Sequence, residues 1–331
     1  MKIKEVIGID ISKLSNEASI HTSQLDLNFE NNNKGFKKLI TWVQKNTKCK
    51  PEEIMYSFEH TGMYSFQLAL FLTEKQYQFI IIPGLEIKRS LGIQRGKNDK
   101  VDAKRIALYT YRRKDEIKPY VMPSKELTKI RRLLSLRDKL VKHRAGYMAT
   151  LKEQTRVLVK NDNKVLFTVY NKMIRELDKQ IDKVDVELNI IISEDPGIKK
   201  MYDLITSIKG VGPQTALYMI VLSNGFLSFK NSRKFASYAG IAPFQYQSGT
   251  SIKGKTKVSH LANKKIKTLL SSCATSAITW NPEMKAYYNR KIEEGKNEMS
   301  IINAVRNKIL SRIFAVVNRG TPYINTFKFA S

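Results

Sequence analysis

The order of strand-like and helix-like segments in residues 1–118 predicts an α/β fold of the RNase H-like type. Three strand patterns come first, and a helix, a strand, a helix, a strand and a final helix follow. A long glycine-poor stretch, 119–200, predicts a helical linker, and residues 201–331 predict a mainly α-helical region. Because the chain has 331 residues, we expect three domains with these boundaries.

The strands of the first region are short apolar or alternating runs separated by polar turns. They cover 5–10, 18–21, 25–29, 53–58 and 78–82. Amphipathic spacing predicts helices over 36–44, 64–73 and 99–112. In an RNase H-like sheet the first and fourth strands are neighbours and the final helix packs across them. Side chains at the ends of these three elements should therefore converge.

Apolar residues of the second region recur at three- and four-residue steps, which predicts two long helices arranged as an antiparallel coiled coil. The stripe consists of Leu127, Ile130, Leu134, Val141, Ile174, Leu177, Ile181, Val184, Leu188 and Ile191. Pro123 and Ser124 suit the start of the first helix, residues 161–163 suit a break, and 195–197 suit the end of the second. Two interpretations stay open: a helical spacer, and a contact with further copies of the chain in a dimer or tetramer.

The charge of the chain indicates a polyanionic partner. Lys and Arg number 58 against 30 Asp and Glu, a formal net charge of +28. Lys and Arg displace the counterions that condense on the phosphate backbone, so nucleic acid is the expected partner. Charge alone does not distinguish DNA from RNA, nor an enzyme from a merely basic binding protein.

The apolar and cysteine content excludes two other classes of protein. No segment approaches the roughly 18 to 20 continuous apolar residues that a membrane span needs. The sequence starts with a strand pattern rather than a signal peptide. Cys49 and Cys273 are far apart, which excludes a zinc site built on cysteine and favours a reducing compartment. We expect a cytoplasmic protein of bacterial type.

Four acidic residues stand at the positions where the predicted fold brings its elements together. Asp10 ends the first strand, Glu59 follows the fourth, and Asp99 and Asp102 share one face of the final helix. Converged carboxylates repel one another unless cations bind between them, and Mg²⁺ prefers such oxygen ligands. We predict a catalytic Mg²⁺ site here, with Mn²⁺ as the alternative ion. Each acid alone would instead be a solvated or helix-capping residue.

The third region lacks acidic residues between Leu204 and Pro282 and is rich in lysine, which favours contact with phosphates. Residues 204–216 have the form of a helix-hairpin-helix motif, in which Lys209, Gly210 and Gly212 would hold a backbone phosphate at the start of a helix. The alternative is a plain glycine turn between packed helices.

A serine in a basic loop is the candidate nucleophile of the third region. Ser248 precedes Gly249, and a hydroxyl there could attack a phosphorus atom held by lysines. Most serines in such loops bind phosphate instead, and the sequence offers no evident general base. The proposed phosphate clamps are Lys253, Lys255, Lys257, Lys264 and Lys265.

Together these residues resemble the transposases of insertion-sequence family 110, the bridge-RNA-guided recombinases with a DEDD set and a serine. The resemblance covers nearly the whole chain. Its motifs are the four acids, Lys-x-Asp-x-x-Asp-Ala at 97–103, Tyr-Ala-Gly-Ile-Ala-Pro at 238–243, Ser-Gly at 248–249, and Ser-x-x-x-Asn at 259–263 before a Leu-Leu helix. The family often has a second serine where this chain has Gln247, and commonly a glycine where it has Ala262.

The resemblance implies a RuvC-like domain, a Mg²⁺-binding carboxylate site and Ser248 as the nucleophile that links covalently to cleaved DNA. It also implies double-stranded donor and target DNA, a structured guide RNA that pairs with both, and a carboxylate site that acts with a serine of the same or another subunit. Thr250 and Ser251 are alternative hydroxyls. Two rival functions remain: a metal-dependent junction nuclease without serine chemistry, and a non-catalytic nucleic-acid-binding protein.

Overall fold

The computed structural model describes residues 3–90, 98–249 and 252–324. The chain forms two compact units, Met1–Met122 and Pro123–Ser331. Within the described residues, no helix is long and apolar enough to cross a membrane.

The first unit is built on a five-stranded mixed sheet. Its strands are β1 (Glu5–Ile11), β2 (Ser15–Ile20), β3 (Asp26–Glu30), β4 (Ile54–Glu59) and β5 (Phe79–Ile82). They lie in the order β3-β2-β1-β4-β5. β1 is antiparallel to β2 and parallel to β4, β2 is antiparallel to β3, and β4 is parallel to β5. This is the predicted RNase H-like arrangement, with the first and fourth strands as neighbours.

Helices cover both faces of this sheet. They are α1 (Asn33–Asn46), α2 (Met63–Glu74), α3 (Gly84–Ser90) and α4 (Asp99–Arg112), with a short 3₁₀ turn at Pro51–Glu53. Ile7 and Ile9 of β1 share a core with Phe36 of α1 and Leu68 of α2. The alternate residues of β1 face α4, where Val6 packs with Ala107. The sequence predicted α4 with its observed bounds and did not predict α3.

The second unit begins with two long helices, as predicted. They are α5 (Lys125–Val157) and α6 (Lys164–Glu194). The Ser124 side chain accepts a hydrogen bond from the Leu127 amide and so caps α5. Ion pairs Arg137–Asp185 and Arg144–Asp178 join the two helices in antiparallel register.

Shorter helices and a hairpin complete the second unit. The helices are α7 (Pro196–Thr206), α8 (Pro213–Leu222), α9 (Ser232–Tyr238), α10 (Lys264–Trp280), α11 (Pro282–Glu293) and α12 (Glu298–Arg319). Strands β6 (Pro243–Ser248) and β7 (Ile252–Val258) form an antiparallel pair. One apolar core contains the amino-terminal part of α5, the carboxyl-terminal part of α6 and residues of these later helices. The region is mainly helical, as predicted, and the two strands are an addition.

Candidate active site

Asp10, the first of the four predicted acids, lies next to α4 because β1 and α4 approach each other closely. Gly8, two residues earlier on the same face of β1, has no side chain to separate the two elements. A Cβ atom on Gly8 would lie 2.1 Å from the carbonyl oxygen of Ala103 and 2.4 Å from the amide nitrogen of Ala107. α4 therefore rests directly on β1, and Asp10 is half-buried beside the start of that helix.

The start of α4 carries the next two acids. The Asn98 side chain caps the helix by accepting a hydrogen bond from the Lys100 amide. Asp99 and Asp102 both lie in the first turn, where carboxylates also interact favourably with the helix dipole. Asp99 is exposed, whereas Asp102 is half-buried and accepts a hydrogen bond from Arg105 at 2.9 Å.

Glu59 is the last residue of β4 and is half-buried. β4 is the parallel neighbour of β1, so Glu59 and Asp10 emerge at the same edge of the sheet. Gly84, at the start of α3, packs against this carboxylate. A Cβ atom there would lie 1.9 Å from Oε1 of Glu59. Because residue 84 is a glycine, the Glu59 carboxylate can occupy the space that a Cβ atom would otherwise fill.

The four acids form one electrostatic neighbourhood. Burial and the negative charges of Asp99, Asp102 and Glu59 raise the pKa of Asp10 to about 6, against a hydrogen bond from the Ile11 amide that lowers it. A raised pKa means that the folded protein disfavours the ionised form of this carboxyl group. The charges of Asp99, Asp102 and Glu59 thus act on the Asp10 carboxyl group.

The donor chemistry of this set fits a divalent cation. All four groups are carboxylates, the ligands that hard cations prefer, and a bound cation would relieve the repulsion around Asp10. As they stand, no three Asp, Glu, His or Cys side chains of the described residues are close enough to hold one ion. Asp10, Glu59, Asp99 and Asp102 therefore share a neighbourhood without forming a closed ligand shell.

Strand pairing places a further acid, Glu17, next to Asp10, and the sequence analysis did not consider it. It is the direct partner of Asp10 across β1 and β2, so the two side chains lie on one face of the sheet. Its Oε1 accepts a hydrogen bond from Asn28 at 2.7 Å, and its Oε2 is buried with no hydrogen-bond partner among the described residues. The register of the first hairpin is the signal that identifies it.

The candidate serine closes a strand of an exposed hairpin. Ser248 is the last residue of β6 and pairs with Ile252, the first residue of β7. Gly249 follows with a positive φ of 57°, a conformation that suits a tight turn. The expectation that Ser248 itself lies in a loop was therefore wrong. Its side chain, and Thr250 and Ser251 altogether, lie outside the described part of the chain.

The base of this hairpin is where the sequence motifs of the third region meet. The Asn263 side chain donates a hydrogen bond to the Tyr238 hydroxyl at 2.8 Å, and its amide donates to the Tyr238 carbonyl at 2.9 Å. Gly240, with φ of 65°, approaches Ala262 so closely that a Cβ atom would lie 2.3 Å from the Ala262 Cβ. Residues 238–243 and 259–263 therefore hold the two ends of the hairpin together.

The predicted phosphate-binding lysines fall into three groups. Lys209, Lys257 and Lys264 are exposed. The side chains of Lys253 and Lys255 lie outside the described part of the structure. Lys265 is paired instead with Asp138 of α5 at 2.5 Å, so its charge already has a partner within the unit.

The glycine turn between α7 and α8 lies against α10. Gly210 has φ of 97°, and a Cβ atom there would lie 3.0 Å from Ala277. The Gly212 amide and the Thr215 hydroxyl hydrogen-bond the thiol of Cys273, whose pKa is raised by its burial. One amide of the turn is therefore engaged inside the protein, while Lys209 faces solvent.

Family comparisons match both halves of the chain. A model of DEDD transposases of the IS110 type, described as Transposase, matches residues 7–160. A second, described as Transposase IS116/IS110/IS902 family, matches residues 202–289. The chain belongs to the IS110 family of transposases. The first match spans the four acids, and the second spans the hairpin and both motifs at its base.

Curated relatives agree with this assignment. The transposase is 29% identical over 330 residues to the pilin gene-inverting protein of Moraxella bovis, covering 97% of this chain and 98% of that protein. Its match to the insertion element IS110 uncharacterized 43.6 kDa protein of Streptomyces coelicolor is also 29% identical, over 42% of this chain and 33% of that protein. The chain is therefore a DNA transposase or recombinase, and its DEDD family implies dependence on a divalent metal.

Proposed function

We propose that this transposase cuts and rejoins DNA at specific sites through the joint action of its carboxylate set and Ser248. The observation that supports the proposal is that the half-buried carboxyl of Asp10 lies within electrostatic reach of Glu59, Asp99 and Asp102. Acids that oppose one another's charge this strongly favour a cation, and phosphodiester chemistry is what such a site serves in an RNase H-like unit of a DNA transposase.

The carboxylates would position the reacting phosphate through a divalent cation bound between them. Asp10, Glu59, Asp99 and Asp102 would bind Mg²⁺, or Mn²⁺ in its place, and the ion would stabilise the negative charge that develops on the phosphate oxygens. The Arg105 contact keeps Asp102 oriented along α4 until the site is loaded.

Ser248 supplies the nucleophile. Its Oγ attacks phosphorus, the bond from phosphorus to one sugar oxygen breaks, and the strand end is held as a phosphoserine ester. The serine loses its proton and the departing sugar oxygen gains one. Because one ester replaces another, a sugar hydroxyl of a different strand end can reverse the step and rejoin the DNA without an energy-rich cofactor.

Nucleic acid would be held by the acid-free segment between Leu204 and Pro282. The exposed Lys209, Lys257 and Lys264 are suited to backbone phosphates, which they position without reading sequence. The turn at Gly210 and Gly212 would act as a helix-hairpin-helix contact. A structured RNA that pairs with donor and target DNA would supply the choice of site, as pairing does in other guided systems.

The proposed contact between subunits is formed by the carboxyl-terminal end of α5 and the amino-terminal part of α6. Val157, Val165 and Val169 are exposed there by 81%, 78% and 49%. A second copy of the helical pair, packed as in a coiled coil, would cover these side chains in a dimer or tetramer. Light scattering on the V165E variant is expected to show the monomer mass where the parent chain shows the oligomer.

Covalent trapping tests the central proposal. The transposase is incubated with a phosphate-labelled nicked DNA junction and divalent metal, and the adduct is separated on a denaturing gel and mapped by mass spectrometry. We expect a label on Ser248, and loss of the adduct in S248A with strand transfer down on the order of 10³-fold or more. T250A and S251A are the matched controls and should keep the adduct.

Each other outcome overturns a defined part of the proposal. A label on Thr250 or Ser251 moves the nucleophile. Unchanged cleavage by S248A without any adduct favours a metal-dependent nuclease. Unchanged cleavage by D10N and E59Q removes the carboxylates from the chemistry.

A further inference from the structure

Arg306 on α12 is a buried cation that forms no ion pair with an acidic side chain in the described part of the protein. The residue is 8% exposed, and its Nε is enclosed with no hydrogen-bond partner in the described part of the chain. Its Nη1 donates to the Asn303 side chain at a long 3.5 Å. Burial lowers the pKa of Arg306, but a guanidinium remains charged at neutral pH. A buried charge in this state is costly unless an anion reaches it.

Another arginine of the same helix shows the contrast. Arg312 is also mostly shielded, yet its Nη2 pairs with Glu283 at 2.5 Å and its guanidinium lies 5.0 Å from the centre of the Tyr323 ring. Its charge is thus satisfied inside the unit. Of these two shielded arginines of α12, one is thus paired with an acid inside the unit and the other is not, within the described residues.

The position of Arg306 connects it to the base of the hairpin that carries Ser248. Asn303, its contact, donates a hydrogen bond to the Ile241 carbonyl at 2.9 Å, and Asn307 donates to the same oxygen at 3.1 Å. Ile241 stands two residues before β6. The segment from Leu204 to Pro282, which carries the hairpin, has no acidic residue that could supply a counter-charge.

We propose that Arg306 binds a backbone phosphate of DNA at the base of this hairpin. A phosphodiester has one negative charge and two unbridged oxygens, which suit the forked donors of a guanidinium. The phosphate would replace the long contact to Asn303 and supply the acceptor that Nε lacks among the described residues. The inference rests on the proposed function in one respect, that the hairpin engages DNA.

The test compares R306M with K308Q, each in the S248A background so that no strand is cut. Both changes remove one positive charge from α12, and Lys308 is exposed. Two quantities are measured: the thermal midpoint of the free protein, and the affinity for a DNA duplex as a function of salt concentration.

For R306M we expect an unchanged or higher midpoint, because an unpaired buried charge is removed. We also expect roughly tenfold weaker DNA binding and a slope of log affinity against log salt that is smaller by about 1. K308Q should change affinity less. R306K should recover part of the affinity, because it keeps the charge without the fork.

A lower midpoint in R306M with an unchanged salt slope would mean that Arg306 only supports the fold, and would overturn the proposal. Loss of affinity for an RNA duplex alone would also overturn it, because the ligand would then be RNA. Since binding is measured without cleavage, failure here is distinguishable from failure of Ser248 as the nucleophile.

Discussion

The two units present their candidate reactive groups in opposite ways. The first unit places three acids from β4 and α4 within electrostatic reach of a half-buried Asp10 at the edge of a packed sheet. The second carries Ser248 on a two-stranded hairpin whose described side chains, including Phe244 and Lys257, are exposed or nearly so. Groups that repel one another need a rigid core to hold them, whereas a nucleophile must reach a phosphate that arrives from outside.

Despite this difference, both regions depend on a glycine that lets two elements touch. Gly8 brings α4 onto β1, and Gly240 brings the start of the hairpin against Ala262. A two-stranded hairpin alone is marginally stable in water, so its base must hold it. The comparison predicts a large cost for a side chain at either glycine and a smaller one for relieving charge.

The largest effect is expected from Gly8→Ala. The added methyl group would collide with the Ala103 carbonyl and the Ala107 amide, which are main-chain atoms of α4 and cannot rotate away. We expect a loss of about 3 kcal/mol in the free energy of unfolding of the first unit, at the upper end for overpacking. Urea titration followed by circular dichroism measures it.

Gly146→Ala is the matched control. Gly146 lies inside α5 and is exposed, and a Cβ atom there would meet no heavy atom within 4 Å. This change should raise stability by up to about 1 kcal/mol, because alanine favours the helix. If both glycine variants behaved alike, the direct approach of α4 to β1 would not be what holds the acidic site.

A smaller effect is expected from Gly240→Ala at the hairpin base. The methyl group would meet Ala262, and the positive φ disfavours any side chain, for a combined cost of about 2 kcal/mol. Native-state hydrogen exchange of the Ile241 and Ala242 amides, which both donate to the Ala236 carbonyl, reports it.

The double variant separates the two causes. Adding Ala262→Gly to Gly240→Ala should recover the stability lost to the collision with Ala262, about 1 kcal/mol. The loss caused by the positive φ at residue 240 should remain. Ala262→Gly alone should loosen the base slightly, because glycine gains freedom in the unfolded chain. Additive effects in the double variant would contradict the Gly240–Ala262 contact as the clamp of the hairpin.

The sequence predicted those parts of the molecule that rest on local patterns. The positions of Asp10 and Glu59 at strand ends and the bounds of α4 follow from alternation and helical spacing, and the strand order follows from the RNase H-like sequence of elements. The capping residue of α4 is Asn98, not the Asp99 that the sequence also suggested for that role. These signals lie within a few residues of each other. These local signals were enough to predict that the four acids lie on neighbouring elements.

The parts that the sequence did not predict depend on register or on distant pairing. Glu17 faces Asp10 only because of how β1 and β2 pair, and a shift of one residue would turn it to the other face. Lys265 meets Asp138 across 127 residues of sequence. Strands β6 and β7 bury little, so no alternation of apolar side chains marks them.

The smallest effect is expected from Asp10→Asn, measured without metal in the presence of a chelator. The folded protein raises the pKa of Asp10 to about 6, so the charged form destabilises it, and wild-type stability falls as pH rises from the ordinary acid range through about 6. At pH 7.5 the variant should be more stable by at most about 1 kcal/mol, because solvent screens a partly exposed carboxylate.

The difference should vanish only below the ordinary aspartate pKa of 3.8, because the carboxyl group is then protonated in the folded and the unfolded chain alike and carries the same charge as an asparagine. D115N, which changes an exposed aspartate of the same unit, controls for the pH dependence of the rest of the protein. Added Mg²⁺ should then stabilise the wild type and not D10N, which reverses their order at pH 7.5. A variant that is less stable than the wild type in chelator at that pH would mean that the acids around Asp10 are satisfied as they stand, and that their repulsion is not what draws a cation to the first unit.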